Sequence, residues 1–514
     1  MPGLQFREVL MRYGFAIDQR TCIGCHACTV ACKTEHEVPV GQFRTWVKYV
    51  DSGEYPDTAR DFGVMRCNHC TDAPCVKICP TNALFKRDDG IVDFDGDSCI
   101  GCKSCMQACP YDAIYIDEDT NTAAKCNFCA HRVDEGLEPA CVVVCPTHSI
   151  WVGDLDDEDS GIARLIEENP TTVRAPEQNT GPNVFYLGAD QAVLDPLEAP
   201  VRDTYLWADA DEQRLRTQDD FTGEDPTAAT TLNTAHPRPW GWRVATYLWT
   251  KAAGAGALAV AACALLLGTD VGVAGSVLAP VLAAAGAGTT GVLLIWDLRR
   301  PERFYYLFTR PNNGSWLVRG GYCLLGLGAA AVAWFVVRVP DLDGISEVVG
   351  VLAIAACAMA AGYTAFLFGQ AEGRDLWQSR WLFWHLLIQA IMVGAGMMII
   401  AGVVTGQSDA AIAFAVRALI VGVIGHVAIS LVDLLGDHET RNATVAARTL
   451  VRGRYARWFW AGSVAASVVA LLIAVPSWNG ELPALAALAG LLVQASLLVH
   501  EFIYVRAAQD VPLS

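Results

Sequence analysis

The pattern of apolar and polar positions changes abruptly near residue 240. From there onward, eight apolar stretches of roughly twenty residues follow one another, each long enough to cross the ~30 Å hydrocarbon core of a bilayer. The pattern places them at 244–268, 276–297, 316–338, 346–369, 381–404, 410–434, 458–476 and 484–505. It therefore predicts an all-α membrane domain of eight transmembrane helices over residues 240–514.

Cysteine dominates the chemistry of residues 1–150, where sixteen of the nineteen cysteines lie. They form four groups, each with three residues between its last two members: Cys22, Cys25, Cys28 and Cys32; Cys67, Cys70, Cys75 and Cys79; Cys99, Cys102, Cys105 and Cys109; Cys126, Cys129, Cys141 and Cys145. A proline follows the second, third and fourth groups, and Lys33 stands in that place after the first.

The first and third groups have the spacing C-x2-C-x2-C-x3-C of bacterial ferredoxins, in which three close cysteines hold one [4Fe–4S] cube and the fourth reaches the neighbouring cluster. Sixteen such thiolates predict four cubes, each passing one electron. Zinc sites are an alternative, but they use C-x2-C pairs, often with histidine, and do not repeat the x3-C-P element. Disulfides are disfavoured because closely spaced cysteines cannot all pair geometrically. His26, His69 and His131 lie beside cluster cysteines, either as tuning groups or as exposed loop residues.

Charge divides the chain into three parts. Residues 1–150, 151–239 and 240–514 contain 14, 6 and 17 Lys and Arg against 21, 19 and 15 Asp and Glu. The acidic front half lacks the clustered cations that neutralise phosphates, which argues against nucleic-acid binding. The acidic, proline-containing stretch before the apolar half predicts a solvated tether or a docking surface. We therefore expect an α+β ferredoxin-like domain at 1–188, a linker at 189–239 and the membrane domain at 240–514.

The distribution of basic residues predicts the orientation in the membrane. Fifteen Lys and Arg lie on the side of the apolar half that bears the cysteine-rich head, whereas the other side has Arg338, with Arg417 slightly inside its helix. The positive-inside rule then places the head in the cytoplasm. The first twenty residues show no twin arginine, apolar core or cleavage site, so we expect the chain to have no export signal of its own.

The cysteine pattern and the strand-like segment 184–187 resemble the four-cluster iron–sulfur subunits of complex iron–sulfur molybdoenzymes. In that family the first and fourth groups exchange their last cysteines, as do the second and third. The resemblance implies four ligand sets: Cys22, Cys25, Cys28 with Cys145; Cys126, Cys129, Cys141 with Cys32; Cys67, Cys70, Cys75 with Cys109; and Cys99, Cys102, Cys105 with Cys79.

The apolar half resembles the NrfD family of polysulfide-reductase-type membrane subunits. The resemblance rests on the loop Asp297-Leu298-Arg299-Arg300-Pro301-Glu302-Arg303-Phe304, on Ser315-Trp316 and Arg319-Gly320, and on the stretch from Gly453 through Phe459-Trp460. It implies binding of a quinone, either menaquinone or ubiquinone, and no haem. Only His385, His426 and His500 lie in the apolar stretches, at different depths by the predicted spans, which also disfavours a two-haem cytochrome b.

Polar residues in the apolar half indicate where a quinone would bind, because intramembrane polar groups are costly. Tyr247 and Lys251 are four residues apart on one helix face, and we expect them to form the quinone site with Tyr363 and His385. Further polar residues near the head-side ends are Asp297, Arg319, Gln370 and Asp433, for which snorkelling or helix capping is the alternative. His426 and Asp433 share one face and form either a proton path or hydrogen bonds between helices.

Together these features predict an electron-transfer and membrane-anchor subunit of a respiratory oxidoreductase in a prokaryotic plasma membrane. Its expected partner is a cytoplasmic catalytic subunit with a molybdenum or tungsten pterin cofactor, resembling sulfite or formate dehydrogenase, and electrons would pass to the quinone pool. One alternative is a component of a quinol-oxidising complex resembling alternative complex III, which requires an outward head. Another is a redox-coupled proton-moving module that depends on Arg417 and His426.

Overall fold

The computed structural model describes residues 11–201, 225–234, 236–340, 342 and 344–514. The chain divides into two compact units, Met1–Pro237 with Pro512–Ser514 and Arg238–Val511. The predicted linker at 189–239 does not form a separate unit, because its described residues up to 237 belong to the first unit. Residues 202–224 and 235 of that linker lie outside the described residues, as do the first ten residues of the N-terminus that we expect to be signal-free.

Eleven short strands are described in the first unit. Their bounds are β1 Tyr13–Asp18, β2 Thr45–Glu54, β3 Asp57–Arg66, β4 Leu84–Lys86, β5 Val92–Phe94, β6 Ile114–Ile116, β7 Ala123–Lys125, β8 Ile150–Asp154, β9 Thr171–Thr172, β10 Val184–Leu187 and β11 Ala229–Leu232. They form a four-stranded sheet in the order β8-β1-β10-β9, a three-stranded sheet in the order β11-β2-β3, and the hairpins β4-β5 and β6-β7.

Alternation along β1 explains the four-stranded sheet. Phe15 and Ile17 point to the core that also contains Cys28 and Cys141, whereas Ala16 packs on the opposite face against Ile162. Strand side chains alternate between faces, so both faces of β1 are covered. β1 runs parallel to β10 and antiparallel to β8, which ties the two ends of the cysteine-rich segment into one sheet.

The second sheet accounts for part of the predicted linker. β2 and β3 form an antiparallel hairpin with ten residues in each strand, and β11 adds to the edge of β2. Trp46 on β2 donates its indole N–H to the side chain of Asn233, 2.9 Å away. Residues just before the apolar half therefore fold onto the head. Backbone pairing is a long-range property that the acidic composition of the segment does not reveal.

The helices of the first unit are short. Their bounds are Ala27–Glu35, Pro74–Ile78, Ser104–Ala108, Ala130–Val133, Ala140–Val143, Gly161–Glu168 and Gln191–Leu194. Four of them each carry the third cysteine of a group, so the cysteine-rich segment alternates between tight turns and short helices around two buried clusters of side chains. This α+β arrangement confirms the predicted ferredoxin-like fold class.

Within its described residues, the second unit contains eight helices long and apolar enough to cross a membrane, which confirms the predicted number. We refer to them as the first to eighth spanning helices: Trp242–Leu266, Ala274–Asp297, Trp316–Arg338, Ile345–Gly369, Leu382–Thr405, Asp409–Leu435, Trp458–Ser477 and Pro483–Asp510. The ends agree closely with the prediction except that the eighth helix continues past residue 505. A further helix, Arg441–Val451, separates the sixth from the seventh.

The first spanning helix lies at the centre of the second unit. Its apolar window is 78% buried, against 28% for the seventh helix, and it packs against the second, fourth, fifth and eighth helices. Small residues allow this close approach: a Cβ added to Gly256 would come within 1.8 Å of the backbone oxygen of Ala390. The central helix is the one that carries Tyr247 and Lys251.

Candidate functional site

The same backbone turn recurs in all four cysteine groups. The residue immediately before the second cysteine has a left-handed conformation, at Gly24, His69, Gly101 and Phe128, with φ of 66°, 43°, 67° and 64°. Left-handed φ is easy for glycine and uncommon for other residues. Where His69 and Phe128 occupy it, both side chains are fully buried, so packing holds the turn.

The x3 spacing has a helical origin. The third cysteine of each group lies in a short helix. The fourth comes four residues later, inside the helix at Cys32 and at or just beyond the helix end at Cys79, Cys109 and Cys145. Proline after the fourth cysteine cannot continue a helix. After the first group Lys33 allows the helix to run on to Glu35, and its ammonium group binds the backbone oxygens of Pro39 and Gln42 at 2.7 Å.

Cysteines of different groups lie next to one another. Burial raises the pKa of the Cys32 thiol, and negative charge on Cys126, Cys141 and Cys129 raises it further. Burial is the largest cause that raises the pKa of three other thiols, and a thiolate of another group raises it further. These thiols are Cys22 beside Cys145, Cys75 beside Cys109, and Cys102 beside Cys79. Each of these contacts joins the last cysteine of one group to a cysteine of another group, as the ligand sets implied by the family resemblance require.

The thiols fit the chemistry of iron–sulfur ligation. All nineteen cysteines lie in the described part of the molecule and are free thiols, and most of the sixteen in the head are buried. Backbone N–H groups also point at the sulfurs: those of His69, Gly101 and Ser149 donate to the Sγ atoms of Cys67, Cys99 and Cys145 at 3.5, 3.4 and 3.3 Å. Such hydrogen bonds stabilise negative charge on a cluster and tune its potential.

The histidine that contacts a cluster sulfur is not one that the sequence pattern indicated. Nε2 of His36 lies 3.1 Å from Sγ of Cys129, and burial lowers the pKa of His36 to about 4, so its ring is neutral near pH 7. His26 instead bonds Tyr49, His131 bonds Glu35, and the buried His69 accepts the backbone N–H of Val92. His36 lies outside every cysteine motif, so spacing gave no signal for it.

In the second unit, three of the four residues predicted for the quinone site lie together. Lys251 is 1% exposed, and its ammonium group is 4.3 Å from the ring centre of Tyr363 and 5.9 Å from that of Tyr247. It donates to the backbone oxygen of Ala361 at 3.0 Å and to the hydroxyl of Thr364. These contacts form a buried polar cluster between the first and fourth spanning helices, which we call the lysine cluster.

The fourth predicted residue, His385, belongs to a neighbouring group of three histidines. Its Nε2 lies 2.9 Å from Nδ1 of His426, and the ring of His500 is centred 5.2 and 4.8 Å from the rings of His385 and His426. The expectation that these histidines lie at different depths is therefore wrong. A hydrogen bond of this length between the first two rings leaves no gap for a porphyrin between them.

Glu501 connects the two groups and was missed in the sequence. It is 3% exposed, and its electrostatic partners are Lys251 and the side chain of Gln389, which itself lies 3.5 Å from Nε2 of His385. A carboxylate inside the last apolar stretch is a recognisable signal, because intramembrane acids are costly and tend to be functional. The lysine cluster and the histidines thus belong to one polar network that crosses several spanning helices.

The remaining polar residues near the predicted head-side ends make local contacts. Arg319 donates to the backbone oxygen of Asn313, and the Gln370 amide binds the backbone of Trp316 and Gly314. Asp297 pairs with Arg243 at 3.6 Å, and Asp433 accepts a hydrogen bond from the hydroxyl of Ser379 at 2.5 Å. These residues therefore cap helix ends or bind neighbouring loops, in agreement with the helix-capping alternative. Asp433 binds Ser379 and does not extend the group of three histidines.

Fold and site together define a multi-cluster iron–sulfur protein that is also a multi-pass membrane protein. Residues 59–155 match the family described as 4Fe-4S dicluster domain, and residues 230–512, more than half of the chain, match the family described as Polysulphide reductase, NrfD. The chain therefore belongs to the NrfD family and joins an NrfD membrane domain to an iron–sulfur domain with four cysteine groups in one polypeptide.

Similar proteins support the assignment of the head. The B subunit of tetrathionate reductase from Salmonella typhimurium is 46% identical over 190 residues, which cover 36% of this chain and 76% of that protein. The putative iron–sulfur B subunit of dimethyl sulfoxide reductase from Halobacterium salinarum is 38% identical, over 44% of this chain and 98% of that protein. The B component of polysulfide reductase from Wolinella succinogenes is 40% identical, over 34% and 94%. The head is thus an iron–sulfur module of the kind found in oxidoreductases.

Proposed function

We propose that this chain carries electrons between a separate catalytic subunit and quinone in the membrane, through four [4Fe–4S] clusters. The observation that carries the proposal is the juxtaposition of cysteines from different groups, the second with the third and the first with the fourth, in a chain that continues into an NrfD-type membrane unit. Each cluster would supply one-electron transfer when bound. The two units share a single polypeptide, so the electron-transfer and membrane functions cannot dissociate.

The proposed ligand sets are those implied by the family resemblance. Cys22, Cys25, Cys28 and Cys145 hold one cluster, and Cys32, Cys126, Cys129 and Cys141 hold a second. The other two sets combine the second and third groups in the same crossed manner. The electrostatic neighbours described above support this division, since Cys32 and Cys109 have their strongest thiolate neighbours in the groups to which they are assigned.

We infer that the lysine cluster binds the quinone headgroup. Quinone reduction takes two electrons and two protons at two carbonyl oxygens, which need hydrogen-bond donors. Lys251, Tyr247 and Tyr363 supply donors within one buried cluster, and Glu501 beside Lys251 is a carboxyl group that can exchange a proton. His385 lies one step away through Gln389, so its proposed role is proton supply and not direct contact with quinone.

The proposed orientation and direction rest on charge and partner class. Fifteen basic residues flank the head side of the spanning helices against Arg338 and Arg417, which favours a cytoplasmic head by the positive-inside rule. A cytoplasmic head suits a molybdenum or tungsten partner that resembles sulfite or formate dehydrogenase and reduces quinone. The relatives named above are subunits of reductases, whose catalytic reaction is the reduction of a substrate. Electrons then flow towards the catalytic subunit, opposite to the direction proposed for this chain. The identity of the partner therefore decides the direction of electron flow.

Gentle detergent purification of the native complex tests this proposal. We expect about 16 Fe per chain from four clusters, together with a large co-purifying subunit that contains molybdenum or tungsten. Iron at half that amount would contradict the four ligand sets. Partners that contain haem and neither molybdenum nor tungsten would instead support the quinol-oxidising alternative and would contradict the cytoplasmic orientation.

A further inference from the structure

Arg66 is a buried cation at the end of β3, immediately before Cys67. Its side chain is 0% exposed. Nη1 donates to Sγ of Cys141 at 3.4 Å, while Nε and Nη2 have no hydrogen-bond partner among the described residues. The guanidinium carbon lies 4.4 Å from the ring centre of Phe15, so one face of the group is covered by an aromatic side chain.

Cysteine sulfur supplies the negative charge around Arg66. Nη1 lies 3.4 Å from Sγ of Cys141, and Cys28 lies in the same buried core as Cys141 and Phe15. No carboxylate pairs with Arg66 in the part of the chain that the structure describes. A guanidinium buried without a counter-ion is strongly unfavourable, so the thiolates of the cysteine sets are what make this position tolerable.

The surroundings of Arg66 differ from those of Arg60, the other arginine of β3. Arg60, on the same strand, forms an exposed ion pair with Asp51 at 2.6 Å, on the solvent-facing part of the hairpin. Side chains six residues apart on a strand share a face, but β3 enters the cysteine core only at its last residues, where burial becomes complete. Arg66 is therefore directed by the sheet into the space shared by the first and fourth cysteine groups.

We propose that Arg66 raises the reduction potential of the cluster held by Cys126, Cys129, Cys141 and Cys32. The inference rests on the ligand sets of the proposed function. When bound, the cluster would accept one electron from a neighbouring cluster, with no bond formed or broken and with Arg66 protonated throughout. Because the added electron makes the cluster more negative, a fixed cation touching one of its sulfurs stabilises the reduced state more than the oxidised state.

The contacts predict how the effect is distributed among the clusters. Arg66 contacts the sulfur of Cys141, a member of the Cys126 set, and Cys28 of the neighbouring set lies in the same buried core as Cys141. The ring of His36 contacts Cys129 of the same set and adds to the effect when its Nε2 carries the proton. The largest shift therefore belongs to the Cys126 cluster, and the other three clusters shift less.

Redox titration of the full-length protein, followed by electron paramagnetic resonance, tests this inference. Arg66→Gln removes the charge and keeps a polar side chain. We expect the reduction equilibrium of one cluster to fall at least tenfold, which is about 59 mV for a one-electron couple. Arg60→Gln is the matched control, because it removes an exposed arginine from the same strand, and its four potentials should equal those of the wild type.

Each result of the titration supports or overturns the inference. An Arg66→Gln protein with full iron and four unchanged potentials overturns it, as does an equal shift in all clusters. If the Arg66→Gln protein loses iron, the same titration is made on the Arg66→Lys protein. A smaller shift of the same cluster in the same direction then supports the inference, and four wild-type potentials overturn it. Loss of the cluster from both variants also overturns it, because Arg66 would then serve assembly and not potential. Fewer than four centres in the wild type would instead contradict the proposed function.

Discussion

At the scale of single residues, Lys251 is the group on which the proposed membrane chemistry depends. A lysine inside a spanning helix is costly unless its charge or hydrogen bonds are satisfied. Here Ala361 and Thr364 accept two of its hydrogen bonds, and Glu501 faces it as a buried carboxyl group. The proposed quinone site gives this lysine, in the central helix of the bundle, a role as a hydrogen-bond donor.

Replacing Lys251 with methionine tests this role. Lys251→Met keeps a long, unbranched side chain and removes the donor, so we expect quinone-dependent turnover to fall by roughly 10²-fold. Electron transfer from the clusters to a soluble dye and the iron content should stay at the wild-type level. Arg319→Gln is the control, because that arginine donates to the backbone oxygen of Asn313, which is not a member of the lysine cluster. Wild-type quinone turnover in Lys251→Met would contradict the assignment of the quinone site.

The sequence predicted some site residues and missed others, for a physical reason. Cysteine spacing reports local chain geometry, so it predicts ligands that lie close together along a tight turn and the short helix that follows it. Tyr247 and Lys251 were predicted for the same reason. His36 and Arg66 reach cluster cysteines through tertiary folding, and Cys129 lies 93 residues after His36. Local patterns therefore predict the proposed ligands, whereas residues that contact them from distant parts of the chain become visible only in the fold.

At the scale of elements, the spanning helices are held together by close backbone approach at small residues. Gly256 of the first helix and Gly394 of the fifth lie against each other, and a Cβ at Gly394 would come within 2.1 Å of the backbone of Gly256. Helices in lipid gain little from the hydrophobic effect between them, so such packing carries much of their association. This contact also fixes the central helix that positions the lysine cluster.

Enlarging Gly256 tests the importance of this contact. In Gly256→Val the new side chain meets the backbone of Ala390, so the two helices must separate at a cost of about 1–3 kcal/mol or more. We expect a lower thermal unfolding midpoint in detergent, with a loss of quinone-dependent activity that exceeds any loss of iron. Gly288→Val is the control, because a Cβ at Gly288 meets nothing within 4 Å. Equal midpoints for the two variants would contradict this account of helix packing.

At the scale of the whole molecule, the chain joins two units that differ in composition and architecture. The first is acidic and holds sixteen cysteines, and the second is apolar with eight spanning helices among its described residues. Composition and periodicity predicted both fold classes and the helix count. They did not predict that residues 225–237 belong to the first unit, because β11 has no hydrophobic pattern of its own and is defined by pairing with β2.

The central claim is that electrons pass between the clusters of the head and quinone within one polypeptide. The most direct test is to reduce the clusters of the purified full-length protein chemically, remove the reductant, add a soluble quinone analogue without oxygen, and follow the clusters by electron paramagnetic resonance. Four clusters release one electron each, and each quinone takes two electrons and two protons, so we predict reoxidation of all four with reduction of two quinones per chain. Clusters that stay reduced with quinone, yet are oxidised by a soluble dye, would contradict the claim.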